Sequence, residues 1–137
     1  MIADGLKVIP IKHEQDVVWS RQQGRDLGRE LGFGLVDQSR IATAISELTR
    51  NILRYAGEGE CRIRPVQDGE RVGVEVVCED RGPGIADIQA ALVDGFTTRP
   101  TSFGIGLPGT RRLMDEMEID SSPGAGTRVV VRKWRKQ

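Results

Sequence analysis

The sequence has no excess of charge of either sign and contains little cysteine and histidine. Its 137 residues include 20 Lys or Arg and 20 Asp or Glu, so the formal net charge is zero. General nucleic-acid binders owe much of their affinity to phosphate neutralisation, and the balanced charge therefore argues against that class. The locally basic residues 132–136 are better explained as a solvated strand end than as a nucleic-acid patch. The length favours one domain with its own core, spanning residues 1–137.

The two cysteines, Cys61 and Cys78, are too few for a disulfide scaffold. They flank a turn at Asp68 and Gly69, which suggests diagonal positions across a hairpin. We expect buried free thiols rather than a bridge or a metal site, because nothing supplies two more metal ligands. No apolar signal region opens the chain and no run is long enough to span a bilayer, so a reducing cytoplasm is the expected location.

The single histidine, His13, stands near the start of the first predicted helix. A phospho-acceptor histidine would need a dimerising pair of acceptor helices around it, and the surrounding sequence does not predict one. We therefore expect a surface or capping role for His13.

Hydrophobic periodicity and turn residues predict a chain that mixes helices with strands. The predicted strands are residues 6–11, 60–66, 71–79 and 127–134. The predicted helices are residues 14–31, a long helix capped by Asp37 or Ser39 and ended by Gly57, a short helix at 87–93, and a helix at 108–117 that carries Leu113 and Met117 inward. Residues 95–103 are a predicted loop.

The apolar stripes of the first two helices predict which faces are buried. The long helix has the strongest period, and the first helix contains two glycines whose spacing suits close packing. Long helices with mostly antiparallel strands indicate an α+β two-layer sandwich, with the helices on one sheet face. The predicted stripes are Ile41, Ile45, Leu48, Ile52 and Tyr55 in the long helix, and Val17, Val18, Leu27 and Leu31 around Gly24 and Gly28 in the first.

Glu47 and Asn51 are four residues apart in the long predicted helix, so they project from one face. An amide oxygen is a good hard ligand for Mg²⁺, and a nearby carboxylate can accept a hydroxyl proton or orient a metal-bound water. Alone, a polar pair at this spacing more often decorates a solvated helix face. Glu47 and Asn51 therefore indicate a metal site only in combination with the two further segments described next.

Asp80 ends an apolar predicted strand, and Gly82 and Gly84 follow it. An acid in a concave pocket can accept a hydrogen bond from an adenine amino group, and glycines let the backbone approach the ring. The alternative is an ordinary turn after a strand, since Gly-Pro-Gly is a common turn sequence.

A third segment, residues 104–109, places three glycines before a predicted helix. Free backbone N–H groups and the helix dipole can hold phosphate oxygens at such a position. The segment matches neither a Walker loop nor a dinucleotide fingerprint, so by itself it is weak evidence.

The three segments occur in a fixed order, and together they resemble the GHKL superfamily of ATPases and kinases. That superfamily includes histidine-kinase catalytic domains, gyrase-type ATPases and Hsp90, and the match spans residues 47–127. Within it the chain is most similar to the RsbT type, the switch-protein serine/threonine kinases of bacterial stress signalling. The stretches at residues 47–56, 79–85 and 106–116 support this closer similarity.

The resemblance implies a Bergerat-type fold with a mixed, mostly antiparallel sheet, and it implies a role for each matching residue. Glu47 matches the catalytic glutamate, Asn51 the Mg²⁺-binding asparagine, and Asp80 the adenine-binding aspartate. The other implied nucleotide-binding residues are Gly82, Gly84, Ile85, Gly104, Ile105, Gly106, Leu107, Gly109 and Thr127. One stretch departs from the pattern: RsbT-like chains tend to have a small, glycine-rich lid, whereas residues 97–103 here include Pro100 and Arg99, a candidate contact for phosphate or for a protein substrate.

The resemblance implies an enzyme that uses ATP and Mg²⁺ to phosphorylate serine or threonine. Its implied partners are STAS-domain antagonist and scaffold proteins of the stressosome and, after release, a PP2C-type phosphatase. No nucleic acid and no membrane are expected as partners. Three alternatives stay open: an RsbW-like anti-sigma factor kinase, a module that binds nucleotide without chemistry, and a detached histidine-kinase catalytic domain.

Overall fold

In the part of the chain that the structure describes, the sheet consists of five strands, all paired antiparallel in the order β1-β2-β3-β5-β4. The computed structural model describes residues 5–84 and 106–136, and the predicted elements at 87–93 and 95–103 lie outside them. The α+β prediction is confirmed. The elements of the described residues are β1 (Lys7–Ile11), α1 (Glu14–Glu30), α2 (Leu35–Tyr55), β2 (Gly59–Asp68), β3 (Arg71–Asp80), α3 (Gly106–Leu113), β4 (Glu116–Ser121) and β5 (Thr127–Trp134).

The helices α1 and α2 cover the sheet face that carries Ile63, Val76 and Val131. Four residues of the predicted α2 stripe are buried as expected, namely Ile41, Ile45, Leu48 and Ile52. Val17 and Leu27 of α1 are buried, and Leu31 packs against the same core.

The predicted burial is wrong for two residues of the stripes. Tyr55 is 41% exposed because it is the last residue of α2, where the helix face no longer has a layer to cover. Val18 is 52% exposed because only its neighbour Val17 points to the core. The predicted stripe of each helix therefore included one residue that lies outside the buried face.

The start of α2 also differs from the prediction. The helix begins at Leu35 with Gly34 as its N-cap, and not at Asp37 or Ser39. Asp37 lies inside the first turn, where its carboxylate accepts a hydrogen bond from Arg40 Nη1 at 2.8 Å. At the start of α1, His13 occupies the N-cap position, as its expected capping role requires.

The chain after α3 forms a strand that the sequence analysis missed. The predicted helix at 108–117 ends at Leu113, and Glu116 begins β4. Leu113 and Met117 both pack against the core, but from a helix and a strand respectively. Their separation of four residues imitates a helix face, whereas pairing of β4 with β5 decides the conformation.

Close packing of α1 on α2 depends on one of the two glycines that the sequence analysis singled out. A Cβ atom added at Gly24 would overlap Ile45 Cδ1, and one added at Gly28 would lie 3.5 Å from Ile41 Cδ1. Gly24 therefore lets the two helix axes approach over the core, whereas a Cβ at Gly28 would make only ordinary contact.

Cys61 and Cys78 form a disulfide, so the expectation of free thiols is wrong. The two residues are direct partners in the β2–β3 register and not diagonal ones, with Cα atoms 4.2 Å apart. Both side chains face the core, with exposures of 0% and 4%. In the described residues no helix is long and apolar enough to cross a membrane.

The opposite sheet face carries a network of ion pairs centred on Glu75. Its carboxylate accepts hydrogen bonds from Arg64 Nε at 2.7 Å and from Arg132 Nε at 2.8 Å. Arg132 Nη1 also lies 3.0 Å from Glu116 and 2.9 Å from Glu118. Burial raises the pKa of Glu75, but the two guanidinium groups outweigh it and hold that pKa below its usual 4.5.

We predict that Glu75 makes the stability of this protein depend on pH. Its lowered pKa means that its contribution is complete above pH 4.5 and is lost as the pH falls through the folded-state pKa. Glu75→Gln should cost about 2 kcal/mol at pH 7, because two charge-assisted hydrogen bonds are weakened. Urea denaturation from pH 7 to pH 3 should show a smaller acid loss in the variant than in the wild type.

The matched control is Glu118→Gln, whose 66% exposed carboxylate contacts the same arginine. It should change the free energy of unfolding by no more than about 0.5 kcal/mol at pH 7. Equal acid profiles for wild type and Glu75→Gln would contradict the assignment to Glu75.

A second prediction concerns the disulfide. Protein unfolded in denaturant without reductant should take up no thiol-alkylating reagent, and after reduction it should take up two equivalents, as mass spectrometry would show. Reduction should lower the free energy of unfolding by about 3 kcal/mol, since a bridge over 17 residues restrains the unfolded chain. Two labels without reductant would restore the free-thiol expectation.

Candidate functional site

The long helix α2 presents Glu47 and Asn51 from adjacent turns of one face. Glu47 is only 5% exposed, and Asn51 is half-buried. Their helix neighbours Leu48 and Ile52 are part of the core. The guanidinium of Arg50 lies 3.9 Å from Glu47 Oε1. Burying a carboxylate costs free energy unless the charge is paired, and Glu47 has one cation at a distance. Such a carboxylate can accept a proton or a hydrogen bond from a bound group.

Asp80 is the last residue of β3, where its carboxylate closes a tight turn. Its Oδ1 atom accepts the backbone N–H of Gly82 at 2.9 Å. A carboxylate has two oxygens with about four lone-pair positions, so it keeps capacity for another donor. This arrangement suits recognition of an amino group.

The C-terminal end of α2 packs directly against this turn. A Cβ atom added at Gly82 would lie 2.7 Å from Ala56 Cβ. Gly59, which pairs with Asp80 in the sheet, would bring a Cβ to 2.8 Å from Ile52 Cγ2. The turn of α2 that carries Asn51 is therefore held at the Asp80 end of the sheet by contacts that only glycine permits.

A second segment, residues 122–126, closes against the same turn. A Cβ atom at Gly84, whose φ is +78°, would overlap the Ser122 carbonyl oxygen, and one at Gly126 would overlap the Asp80 carbonyl oxygen. The Gly124 N–H donates to the Pro83 carbonyl at 2.7 Å. The sequence analysis did not assign this segment to the site, although its two glycines, Gly124 and Gly126, were an available signal for close backbone approach.

Thr127 joins the same cluster as the direct partner of Asp80 in the β3–β5 register. Its hydroxyl lies 2.9 Å from Ser121 Oγ, which donates to the Gly126 carbonyl at 2.8 Å. The structure thus brings together four predicted site residues: Asp80, Gly82, Gly84 and Thr127.

The helix α3 begins at Gly106, whose φ is +64°, and packs against α2. The Thr110 hydroxyl donates to the Gly106 carbonyl at 2.9 Å, and Gly109 is buried. Leu107 packs against the core. The remaining predicted site residues, Ile85, Arg99, Gly104 and Ile105, lie outside the described residues.

Glu47 also borders a groove of about 430 Å³ between α1 and α2. The groove carries three guanidinium groups, those of Arg21 and Arg25 on α1 and of Arg50 on α2, together with the Ser46 hydroxyl. The sequence analysis missed Arg21 and Arg25, although their spacing of four residues places them on one helix face. The groove is open, polar and basic beside a carboxylate.

Known proteins share this sequence pattern and fold. Residues 36–137 match the family described as Histidine kinase-, DNA gyrase B-, and HSP90-like ATPase. Serine/threonine-protein kinase RsbT from Bacillus subtilis is 50% identical over 126 residues, which cover 92% of this chain and 94% of that protein. An anti-sigma F factor from Thermoanaerobacter sp. is 35% identical over 99 residues, covering 69% of this chain and 68% of that protein.

A solved structure also resembles this fold. The RsbU and RsbW domains of Rv1364c from Mycobacterium tuberculosis align with a TM-score of 0.60 and 20% identity, covering 95% of this chain and 33% of that longer chain. At this level of identity the likeness concerns the fold alone.

The close contact at Gly84 generates a prediction with a matched control. Gly84 and Gly69 both have positive φ, but only Gly84 lacks room for a Cβ, since nothing lies within 4 Å of one added at Gly69. Gly84→Ala should therefore cost about 2 kcal/mol more than Gly69→Ala in the free energy of unfolding, measured in urea. Equal costs would show that the contact with Ser122 relaxes freely.

Proposed function

Because the chain belongs to the family of histidine kinase-, DNA gyrase B- and HSP90-like ATPases, we propose that it is an ATP- and Mg²⁺-dependent serine/threonine protein kinase formed by one domain over residues 1–137. The observation that carries the proposal is the convergence at one sheet end of α2, which bears Glu47 and Asn51, with the Asp80 turn. Half of the aligned residues are identical to a named serine/threonine kinase, which supports transfer to a hydroxyl.

In this proposal the Asp80 carboxylate accepts a hydrogen bond from the adenine amino group. Gly82 and Gly84 shape this end of the proposed pocket by letting α2 and residues 122–126 close on the Asp80 turn, and Thr127 closes the adenine end. The N-terminal end of α3, with Gly106, Leu107 and Gly109, faces the phosphates, which its dipole and free N–H groups would favour. Four further residues keep their proposed roles in nucleotide binding: Ile85, Gly104, Ile105 and Arg99.

The donor set on α2 fits Mg²⁺. The ion prefers oxygen ligands and usually keeps several waters, and here the Asn51 amide oxygen lies one helical turn from the Glu47 carboxylate. When bound, the ion would neutralise charge on the phosphate oxygens. Asn51 is the proposed ligand, and Glu47 is available to the acceptor hydroxyl.

Glu47 would take the proton of the acceptor hydroxyl while the hydroxyl oxygen forms its bond to the γ-phosphorus. The bond from that phosphorus to the bridging oxygen breaks, and ADP leaves with the electron pair. Glu47 is 5% exposed and borders the groove between α1 and α2, which offers a protein substrate a route to this residue. Proximity and orientation then contribute more than covalent chemistry.

The proposed substrates are STAS-domain antagonist and scaffold proteins of the stressosome, and the proposed later partner is a PP2C-type phosphatase. Their support is the 50% identity to RsbT together with the resemblance of residues 47–56 and 106–116. The proposed location is the cytoplasm. Disulfides such as Cys61–Cys78 are uncommon in the cytoplasm. The thiol-alkylation experiment described above therefore also tests the proposed location.

A second candidate is an anti-sigma factor that is also a kinase. It is favoured by the 35% identity to an anti-sigma F factor over 69% of this chain. Recovery of a sigma factor with the protein purified from its host would favour this candidate, whereas recovery of a STAS-domain protein alone would favour the first.

The test of the proposed function is Glu47→Gln. Transfer of labelled γ-phosphate to a STAS-domain partner should fall at least about 100-fold, because the proton acceptor is lost. Binding of Mg·ATP, measured by calorimetry, should change little because Asn51 and Asp80 remain. The control is Glu30→Gln, which changes an exposed glutamate of α1 and should transfer normally.

Normal transfer by Glu47→Gln would remove Glu47 from catalysis. Absence of any adenine-nucleotide binding by the folded wild type, with its partner present, would overturn the kinase proposal itself.

A further inference from the structure

A buried cation on β5 contacts the end of α3 that lies opposite the proposed phosphate site. The Lys133 side chain is only 7% exposed. Its Nζ donates to the Leu113 carbonyl at 2.9 Å and lies 3.4 Å from Asp115 Oδ1 and 3.8 Å from Asp37 Oδ1. Burying an ammonium group is costly unless it is paired. Its partners here lie at the C-terminal end of α3, just after that helix, and in the first turn of α2.

The Leu113 carbonyl is one of the groups that a helix leaves without a partner at its C-terminus. The Lys133 ammonium satisfies it and places a positive charge at the negative end of the helix dipole. Asp115 adds a second connection, because its Oδ2 atom accepts the Trp134 N–H at 2.8 Å. The C-terminal end of α3 is thereby fastened to β5, and Asp37 lies at the start of α2.

The helix α3 has only eight residues, so its two ends move together. Its first residue, Gly106, belongs to the proposed phosphate loop, and Thr110 ties the first turn by its bond to the Gly106 carbonyl. A shift at Leu113 would therefore move the N–H groups that face the phosphates. We propose that Lys133 is a positioning residue for the phosphate end of the nucleotide site, acting through α3. This inference rests on the proposed function.

The chain contains a matched control for this inference. Arg135, two residues later, donates from Nη1 to the Leu31 carbonyl at 2.7 Å, at the C-terminal end of α1. Lys133 in β5 and Arg135 just after β5 thus each donate a hydrogen bond to a carbonyl at a helix end, Lys133 at α3 and Arg135 at α1. Loss of either should destabilise the fold, whereas only loss of Lys133 should affect phosphate binding.

The experiment compares Lys133→Met and Arg135→Met with the wild type, at a temperature where all three are folded. Affinity for Mg·ATP is measured by calorimetry, and affinity for adenosine, which has no phosphate, by NMR titration to millimolar concentration. Lys133→Met should weaken Mg·ATP about tenfold or more and leave adenosine within about twofold. Arg135→Met should leave the ratio of the two affinities unchanged.

Hydrogen exchange gives a second readout without ligand. Lys133→Met should speed exchange in α3 and leave α1 unchanged, and Arg135→Met should do the reverse. If Lys133→Met does not fold, Asp115→Asn replaces it, because this partner of Lys133 is 42% exposed and its substitution should disturb the fold less. Asp115→Asn should also lower the affinity for Mg·ATP relative to the affinity for adenosine.

An unchanged ratio in both Lys133→Met and Asp115→Asn, with a wild type that binds Mg·ATP, would overturn this inference alone. Equal weakening of both ligands would also overturn it, because it would indicate a purely structural lysine. A folded wild type that binds no nucleotide would instead refute the proposed function, and the inference with it.

Discussion

The register of β3 with its two neighbours is the constraint on which the candidate site depends. Asp80 faces Gly59 of β2 on one side and Thr127 of β5 on the other. A slip of one residue would turn Val76 out of the core, so burial of the sheet face fixes this register. The position of Asp80 thus follows from apolar residues several positions away.

The helix α2 serves both the core and the site, and this explains the unusual burial of Glu47. Its apolar stripe must lie against the sheet, which brings the adjacent face of the helix to the edge of the core. Glu47 is 5% exposed as a result, and the nearby Arg50 guanidinium does not form a short ion pair with it. Sequences usually avoid such an arrangement, and its presence fits a residue kept for chemistry rather than for stability.

Local patterns predicted the elements well, and they failed where a distant segment decides the outcome. The period of α2 predicted its buried residues, but it also assigned Tyr55 and Val18 to the core, because a pattern does not show where the opposing layer ends. The sequence pattern placed Met117 in a helix, whereas in the structure it lies in β4 and pairs with Val131 of β5. The Cys61–Cys78 pairing required the hairpin register, which a cysteine count does not contain.

The candidate site was predicted in a similar, partial way. The resemblance assigned roles to Asp80 and Thr127 separately, while their direct pairing follows only from the sheet. The contribution of Gly126 and of residues 122–126 was missed because it depends on backbone approach between segments that are distant in the chain, such as Gly126 and Asp80. Arg21 and Arg25 were missed because an arginine on a helix face usually remains a solvated charge, and only the approach of α1 to α2 makes a groove of them.

The strand β5 connects the two ends of the candidate site. Its first residue, Thr127, pairs with Asp80 at the proposed adenine end, and its seventh, Lys133, holds the C-terminal end of α3. A strand in the middle of a paired sheet is stiff, since β3 and β4 bond it on both sides. The distance between the proposed base-binding turn and the helix proposed to face the phosphates is therefore set by one rigid element.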